Sequence, residues 1–158
     1  MLCSCDFIDL DDRVRLMTGK TPRELYLESP ADFQTAEAAA LANTLSSIEG
    51  LSVIAAGGGL ADNQPALDTL GDTCLKVHLE VPAETAWKRI FDPASPELPP
   101  FLQTSDPEKT HRALHERRAA AYRQMADLTI PADGKSPQEI AGEIFRLCGL
   151  KSRLSPVS

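Results

Sequence analysis

Between Ser52 and Gly59 the chain reads Ser-Val-Ile-Ala-Ala-Gly-Gly-Gly, a short β-branched apolar run that stops on three consecutive glycines. A run of this length between turn formers suits a buried strand and is too short for a stable helix. The glycines leave bare main chain at the strand's exit, so a ligand can approach backbone amides that no side chain screens. A tight turn alone needs one glycine rather than three. Upstream, Phe7-Ile8-Asp9-Leu10-Asp11 ends on two alternate aspartates, which on a strand point to the same side. Further short strands alternate with helical patterns, and that order specifies an α/β fold, a parallel sheet with right-handed crossovers flanked by helices. In such sheets ligands bind outside the carboxyl ends of the strands. Two strand ends carrying amides and carboxylates therefore predict a polar small-molecule site.

The elements follow from local signals. Phe7 to Leu10 is a strand, and Asp12 to Met17 a short helix stopped near Gly19. Thr21-Pro22-Arg23-Glu24 opens the next helix, with Thr as N-cap, Pro at the first helical position and Glu three residues after the cap. Ser29-Pro30 opens a longer one that runs to about Ser47, ended by Gly50. Ser52 to Ala56 is the glycine-tipped strand, Gln64 to Leu70 a helix, Cys74 to Leu79 a strand and Pro82 to Ile90 a helix. Prolines 93, 96, 99 and 100 then forbid regular helix, which makes Phe91 to Ser105 the longest irregular segment, of a length that often forms a lid. Asp106-Pro107 opens a long helix to about Met125, Leu128 to Ile130 is a short strand, and Ser136-Pro137-Gln138-Glu139 is a capping box for a last helix to about Cys148. Residues 1–150 make one domain, and the tail from Lys151 to Ser158 is expected to fray.

A net charge of −7 argues against nucleic acid or an anionic membrane surface as the main partner. No apolar stretch is long enough to span a bilayer, and Met1-Leu2-Cys3-Ser4-Cys5-Asp6 lacks the basic and apolar regions of a signal peptide. Cys3, Cys5, Cys74 and Cys148 have no second ligand pair at zinc spacing and read as reduced thiols of a cytoplasmic protein.

Several residues are candidates for chemistry. Asp9 and Asp11 can hold Mg²⁺ through water or accept hydrogen bonds from a substrate hydroxyl, although Asp is also a common helix cap. Gly57, Gly58 and Gly59 lack the glycine spacing of a dinucleotide fingerprint. Gly19-Lys20-Thr21 copies the end of a phosphate loop, but Val14 stands where that loop needs glycine and a helix precedes it, so it reads as a helix stop followed by a cap. No complete phosphate loop occurs in the 158 residues. Arg118 and Tyr122 share one face of the long helix, where an arginine can grip a carboxylate bidentately or simply be solvated. His111 and His115 are one turn apart without an H-E-x-x-H pattern, and a solvated face is expected for them.

Taken together, these blocks resemble the shikimate kinase family. The resemblance rests on Phe7 through Asp11, Gly19 through Tyr26, Phe33 with Glu37, Val53 through Gly59, and Val77-His78-Leu79-Glu80. It continues through Trp87-Lys88-Arg89-Ile90, Arg118 through Tyr122, and Ala126-Asp127, in the family's order over nearly the whole chain. It implies a nucleoside-monophosphate-kinase-like P-loop fold and transfer of the ATP γ-phosphate to the 3-hydroxyl of shikimate, a step of chorismate and aromatic amino acid biosynthesis, with ATP and Mg²⁺ as cofactors. It also implies residue roles. Asp11 would bind the shikimate hydroxyls and orient the attacking oxygen, Asp9 would support Mg²⁺, and Gly57, Gly58 and Gly59 would line the pocket. Arg118 would bind the shikimate carboxylate, Arg89 would lie near the nucleotide, and Lys135 beside the adenine.

The pattern departs from the family at three places. The family begins with a strand, a phosphate loop and a helix before the Asp-x-Asp strand, and the expectation is a late chain start or a truncated gene. In the family that first strand lies mid-sheet, so without it two interior strand edges would stand unpaired or the sheet would close over a gap. Gln34 stands where an arginine contacts shikimate, and Leu98-Pro99-Pro100-Phe101-Leu102 where the lid presents Arg-Pro. A non-catalytic binding module that keeps the shikimate-type pocket is the alternative reading, and a gluconate-type kinase a further one. A monomer is expected.

Overall fold

The computed structural model describes residues 5–91 and 97–149, so Cys3, part of the expected lid, and the tail from Lys151 lie outside the described residues. β1 (Asp6–Asp9) leads directly into α1 (Leu10–Thr18), followed by α2 (Pro22–Glu28) and α3 (Pro30–Ser47). β2 (Ser52–Ala55), a single 3-10 turn (Leu60–Asp62) and α4 (Gln64–Leu70) come next, then β3 (Val77–Glu80) and α5 (Ala83–Ile90). A second 3-10 turn (Pro100–Leu102), α6 (Pro107–Met125), β4 (Leu128–Pro131) and α7 (Pro137–Leu147) complete the order.

Most expected stops and starts hold, but α3 ends at Ser47 with an extended Ile48 as its C-cap rather than on Gly50. Gly19 ends α1 at φ 73°, a left-handed conformation that disfavours any side chain, and its N–H donates to Arg15 O. Thr21 and Glu24 form the reciprocal capping box that opens α2, and Ser136 and Glu139 form the one that opens α7. Hydrogen bonds donated by the N-cap residues Thr21 and Ser136 hold the Glu24 and Glu139 carboxyls below their ordinary pKa.

The strands are parallel, as expected, but they form two separate pairs. β1 pairs with β2, setting Asp6 against Ser52 and Asp9 against Ala55, and β3 pairs with β4, setting Val77 against Leu128 and Glu80 against Pro131. Among the described residues neither β2 nor β3 has a second neighbour. Val53 and Leu79 are each nearly half exposed, an unusual situation for apolar residues of a parallel sheet.

Two boundaries move. β1 stops at Asp9 because the Asp9 side chain turns to accept a hydrogen bond from Asp11 N at 2.9 Å and caps α1. Asp11 therefore sits in the helix's first turn, and the expectation that both aspartates share one face of a strand is corrected. The third strand starts at Val77 rather than Cys74, because Thr73 N–H donates to Leu70 O and holds the chain in a turn. Among the described residues, Cys74 and Cys148 are unpaired with any other cysteine.

The main core packs α1, α2, α3 and α4 over β2. Leu10, Val14, Ala40, Leu41 and Ala66 are almost wholly buried, with Phe33, Leu45, Ile54 and Leu67 against them. Ile130 on β4 and Leu102 in the second 3-10 turn are fully buried elsewhere. No helix among the described residues is long and apolar enough to cross a membrane.

Candidate active site

The exits of β1 and β2 lie side by side because Asp9 and Ala55 are register partners. Asp11 and Gly57 are two residues beyond, and a Cβ placed on Gly57 would stand 3.8 Å from Asp11 Oδ1. On Gly59 it would stand 3.6 Å from Arg118 Nη2, and on Gly58 it would meet open space. None of the three has a positive φ, unlike Gly19, Gly71, Gly134 and Gly149. Neither backbone conformation nor neighbouring atoms of the described chain demand glycine here. What three glycines provide is unscreened backbone at an open edge, the arrangement a ligand needs for close approach. Asp11, the glycines and Arg118 are thus brought together as the sequence suggested.

α6 supplies the opposite wall, with His111, His115, Arg118 and Tyr122 following one another at helical spacing. Ala61 N donates to Tyr122 Oη at 3.1 Å, and Tyr122 Oη reaches Gly57 O at 3.5 Å, tying the helix to the glycine turn. Burial raises the Tyr122 pKa and keeps the phenol neutral. His78 of β3 stacks on Tyr122, with ring centroids 5.3 Å apart. The solvated face expected for His111 and His115 is corrected at His111, which is buried between Trp87 and His115. The aromatic partner on α5 decides this, and nothing local to α6 encodes it. Burial, then the neighbouring His115 and Arg118, lowers the His111 pKa, and burial likewise lowers that of His78.

Asp11 lies at the surface with protein packed on one side. That partial desolvation, then the Asp9 and Asp12 carboxylates, raises its pKa, which makes it a better proton acceptor than an ordinary aspartate. Glu37 of α3 is buried at 1 % exposure and accepts a hydrogen bond from Asn63 Nδ2 at 2.8 Å. Its pKa is raised by desolvation above all, with the Asn63 bond opposing.

Arg118 is held firmly. Its Nε donates to Asp62 Oδ2 at 2.8 Å, its Nη2 lies 2.7 Å from the same oxygen, and its guanidinium covers the Phe101 ring at 5.3 Å. Gln34 Nε2 donates to the Asp62 carbonyl at 3.2 Å. The described portion of the expected lid is anchored by Arg23, paired to Glu97 at 2.6 Å and bonded to Leu98 O.

The remaining sequence candidates stand apart. Asp9 is committed to the α1 cap, and among the described residues no group of three His, Cys, Asp or Glu side chains is placed to hold a metal ion. Arg89 is exposed in the last turn of α5, and Lys135 pairs with Glu143 of α7 at 2.5 Å. The described residues therefore do not fit a complete nucleotide or metal site. A cavity of about 440 Å³ lined by Asp6, Phe7, Arg13 and Glu49 lies at the opposite, amino ends of β1 and β2, away from the edge where α/β sheets bind ligands. Sequence reading missed Asp62 and Asn63, whose only signal was a polar pair directly after the glycine turn. It noted Glu37 without a role.

Parallel strands flanked by helices, with a glycine turn, Asp11 and Arg118 gathered at one strand edge, make this an α/β protein. The shikimate kinase family model matches residues 2–148. The chain is 32 % identical to a shikimate kinase of Lactococcus lactis, over 92 % of this chain and 86 % of that protein. It is 30 % identical to one of Marinomonas sp., over 89 % and 76 %. The structure of the Acinetobacter baumannii shikimate kinase in complex with shikimate superposes with a TM-score of 0.79 at 29 % identity, covering 93 % of this chain and 82 % of that one. The chain belongs to the shikimate kinase family.

Proposed function

We propose that this chain is a shikimate kinase-type transferase that phosphorylates the 3-hydroxyl of shikimate, acting as a cytoplasmic monomer with no nucleic-acid partner. ATP and Mg²⁺ are the family's cofactors, as its membership implies. The observation that carries the reading is the convergence of Asp11, Gly57 to Gly59 and Arg118 at one strand edge. Asp11 is the group that accepts the hydroxyl's hydrogen bond and orients its oxygen, aided by its raised pKa. The glycine backbone receives the ring, and Arg118 with Gln34 faces the carboxylate end. Phe91 to Ser105 is the lid, and its Phe101 already lies on Arg118. These residues furnish the acceptor side of the reaction. Asp9, Arg89 and Lys135 belong in this proposal to the metal and nucleotide side, which the described residues do not complete.

Calorimetry with shikimate, joined to a coupled ADP-release assay, tests the reading. Binding with turnover that Asp11→Asn abolishes is the expected result. Binding without turnover assigns the non-catalytic module instead, an alternative favoured by Gln34 and Leu98 where the family carries arginine. A response to gluconate equal to that for shikimate would overturn the substrate.

A further inference from the structure

Resting on the proposed shikimate-type site, the geometry points to Asp62 as a built-in carboxylate that occupies the anion seat on Arg118 and sets how strongly the site prefers an acid over its neutral counterpart. Arg118 spends Nε and Nη2, the edge with which arginine grips a carboxylate, on Asp62 Oδ2 at 2.8 and 2.7 Å. Gln34, the other group facing the carboxylate end, donates to the Asp62 carbonyl. Both polar groups that would hold a substrate carboxylate are thus already bonded to one residue.

Position and charge favour this occupancy. Asp62 ends the 3-10 turn that follows the glycines, and its N–H donates to Gly59 O at 2.9 Å, so its carboxylate is delivered to Arg118 by the same loop that lines the site. The two side chains are each only 19 % exposed, where a charge-assisted pair is less screened than at the surface. Asp11 and Glu37 add acidic groups nearby, and Glu37 feels both the Asp11 carboxylate and the Arg118 guanidinium electrostatically. An incoming carboxylate must displace Asp62 from Arg118. Arg117 offers the displaced group a second partner, since its Nη1 already lies 2.7 Å from Asp62 Oδ1 and its side chain is 63 % exposed. A neutral ligand meets no such competition.

The test compares shikimate with its methyl ester by calorimetry on the full chain. A vacant arginine seat would favour the acid by about tenfold or more, the usual worth of a charged hydrogen bond. With Asp62 in place, acid and ester are expected to bind within about threefold of each other. Asp62→Asn is expected to raise affinity for the acid by about tenfold and leave the ester within about threefold. Asp62→Glu, which keeps the charge, is expected to behave as the natural chain. A natural chain that binds the acid tenfold more tightly than the ester overturns the role of Asp62 and leaves the proposed function standing, and this comparison needs no variant to fold. Equal weakening of both ligands by Asp62→Asn also overturns it, since Asp62 would then only position Arg118. If no form binds either ligand, the shikimate-type reading and this inference fail together.

Discussion

Replacing Asn63 by Ala is expected to destabilise the protein by about 3 kcal/mol. Asn63 is fully buried, and its amide joins three segments. Nδ2 donates to Gln34 O and to Glu37 Oε2, both at 2.8 Å, while Oδ1 accepts from Ala66 N at 3.3 Å and caps α4. Loss of the cap costs about 1 kcal/mol. The bond to the buried Glu37 carboxyl adds about 2 kcal/mol, because truncation strands an acceptor that water cannot reach. For a domain of this size the loss lowers Tm by about 6–12 °C. Urea denaturation and thermal melting of Asn63→Ala, Glu37→Ala and the double variant measure it. The single losses should fail to add, since both remove the same bond. A loss below about 1 kcal/mol, or strict additivity, would refute the idea that this amide holds α3 to the glycine loop.

Other consequences are more local. Thr44 is buried with no partner for Oγ1 among the described residues, so Thr44→Val, which keeps the shape and drops the hydroxyl, should stabilise by about 1 kcal/mol in urea denaturation. Leu10, fully buried in the main core, should cost about 3 kcal/mol on truncation to Ala, read the same way. The fold keeps His111 neutral with its pKa lowered, whereas the unfolded chain takes up that proton near about pH 6.5. Stability from this residue is complete above that pH and is lost as pH falls toward the folded-state pKa. Denaturation midpoints should therefore drop on acidification through this window, and less in His111→Phe than in the natural chain. His78, shifted the same way, keeps part of the effect in the variant. Equal pH slopes for the two proteins would remove His111 as a cause.

Helix ends were readable from residue type alone. Gly19, the Thr21–Glu24 box and the Ser136–Glu139 box each act within a few residues, where cap and backbone are neighbours in sequence. The strand with three glycines, the Asp-rich exit of β1 and Arg118 were also found, and the structure brings them to one edge. The Asp9 cap was less legible, since an aspartate ending a strand and one starting a helix look alike until the chain turns.

Sequence by itself determined the order of elements, their polarity and the residue types at the strand exits, because periodicity, caps and glycines act over a few bonds. Only the tertiary structure decided that Asp62 meets Arg118, 56 residues away, that Asn63 bonds Glu37, 26 residues away, and that His111 is buried against Trp87. It alone decided too that the strands stand as two pairs. These contacts depend on how separate helices pack onto separate strands, and a charge or an imidazole carries no local signal of the partner that packing will bring to it.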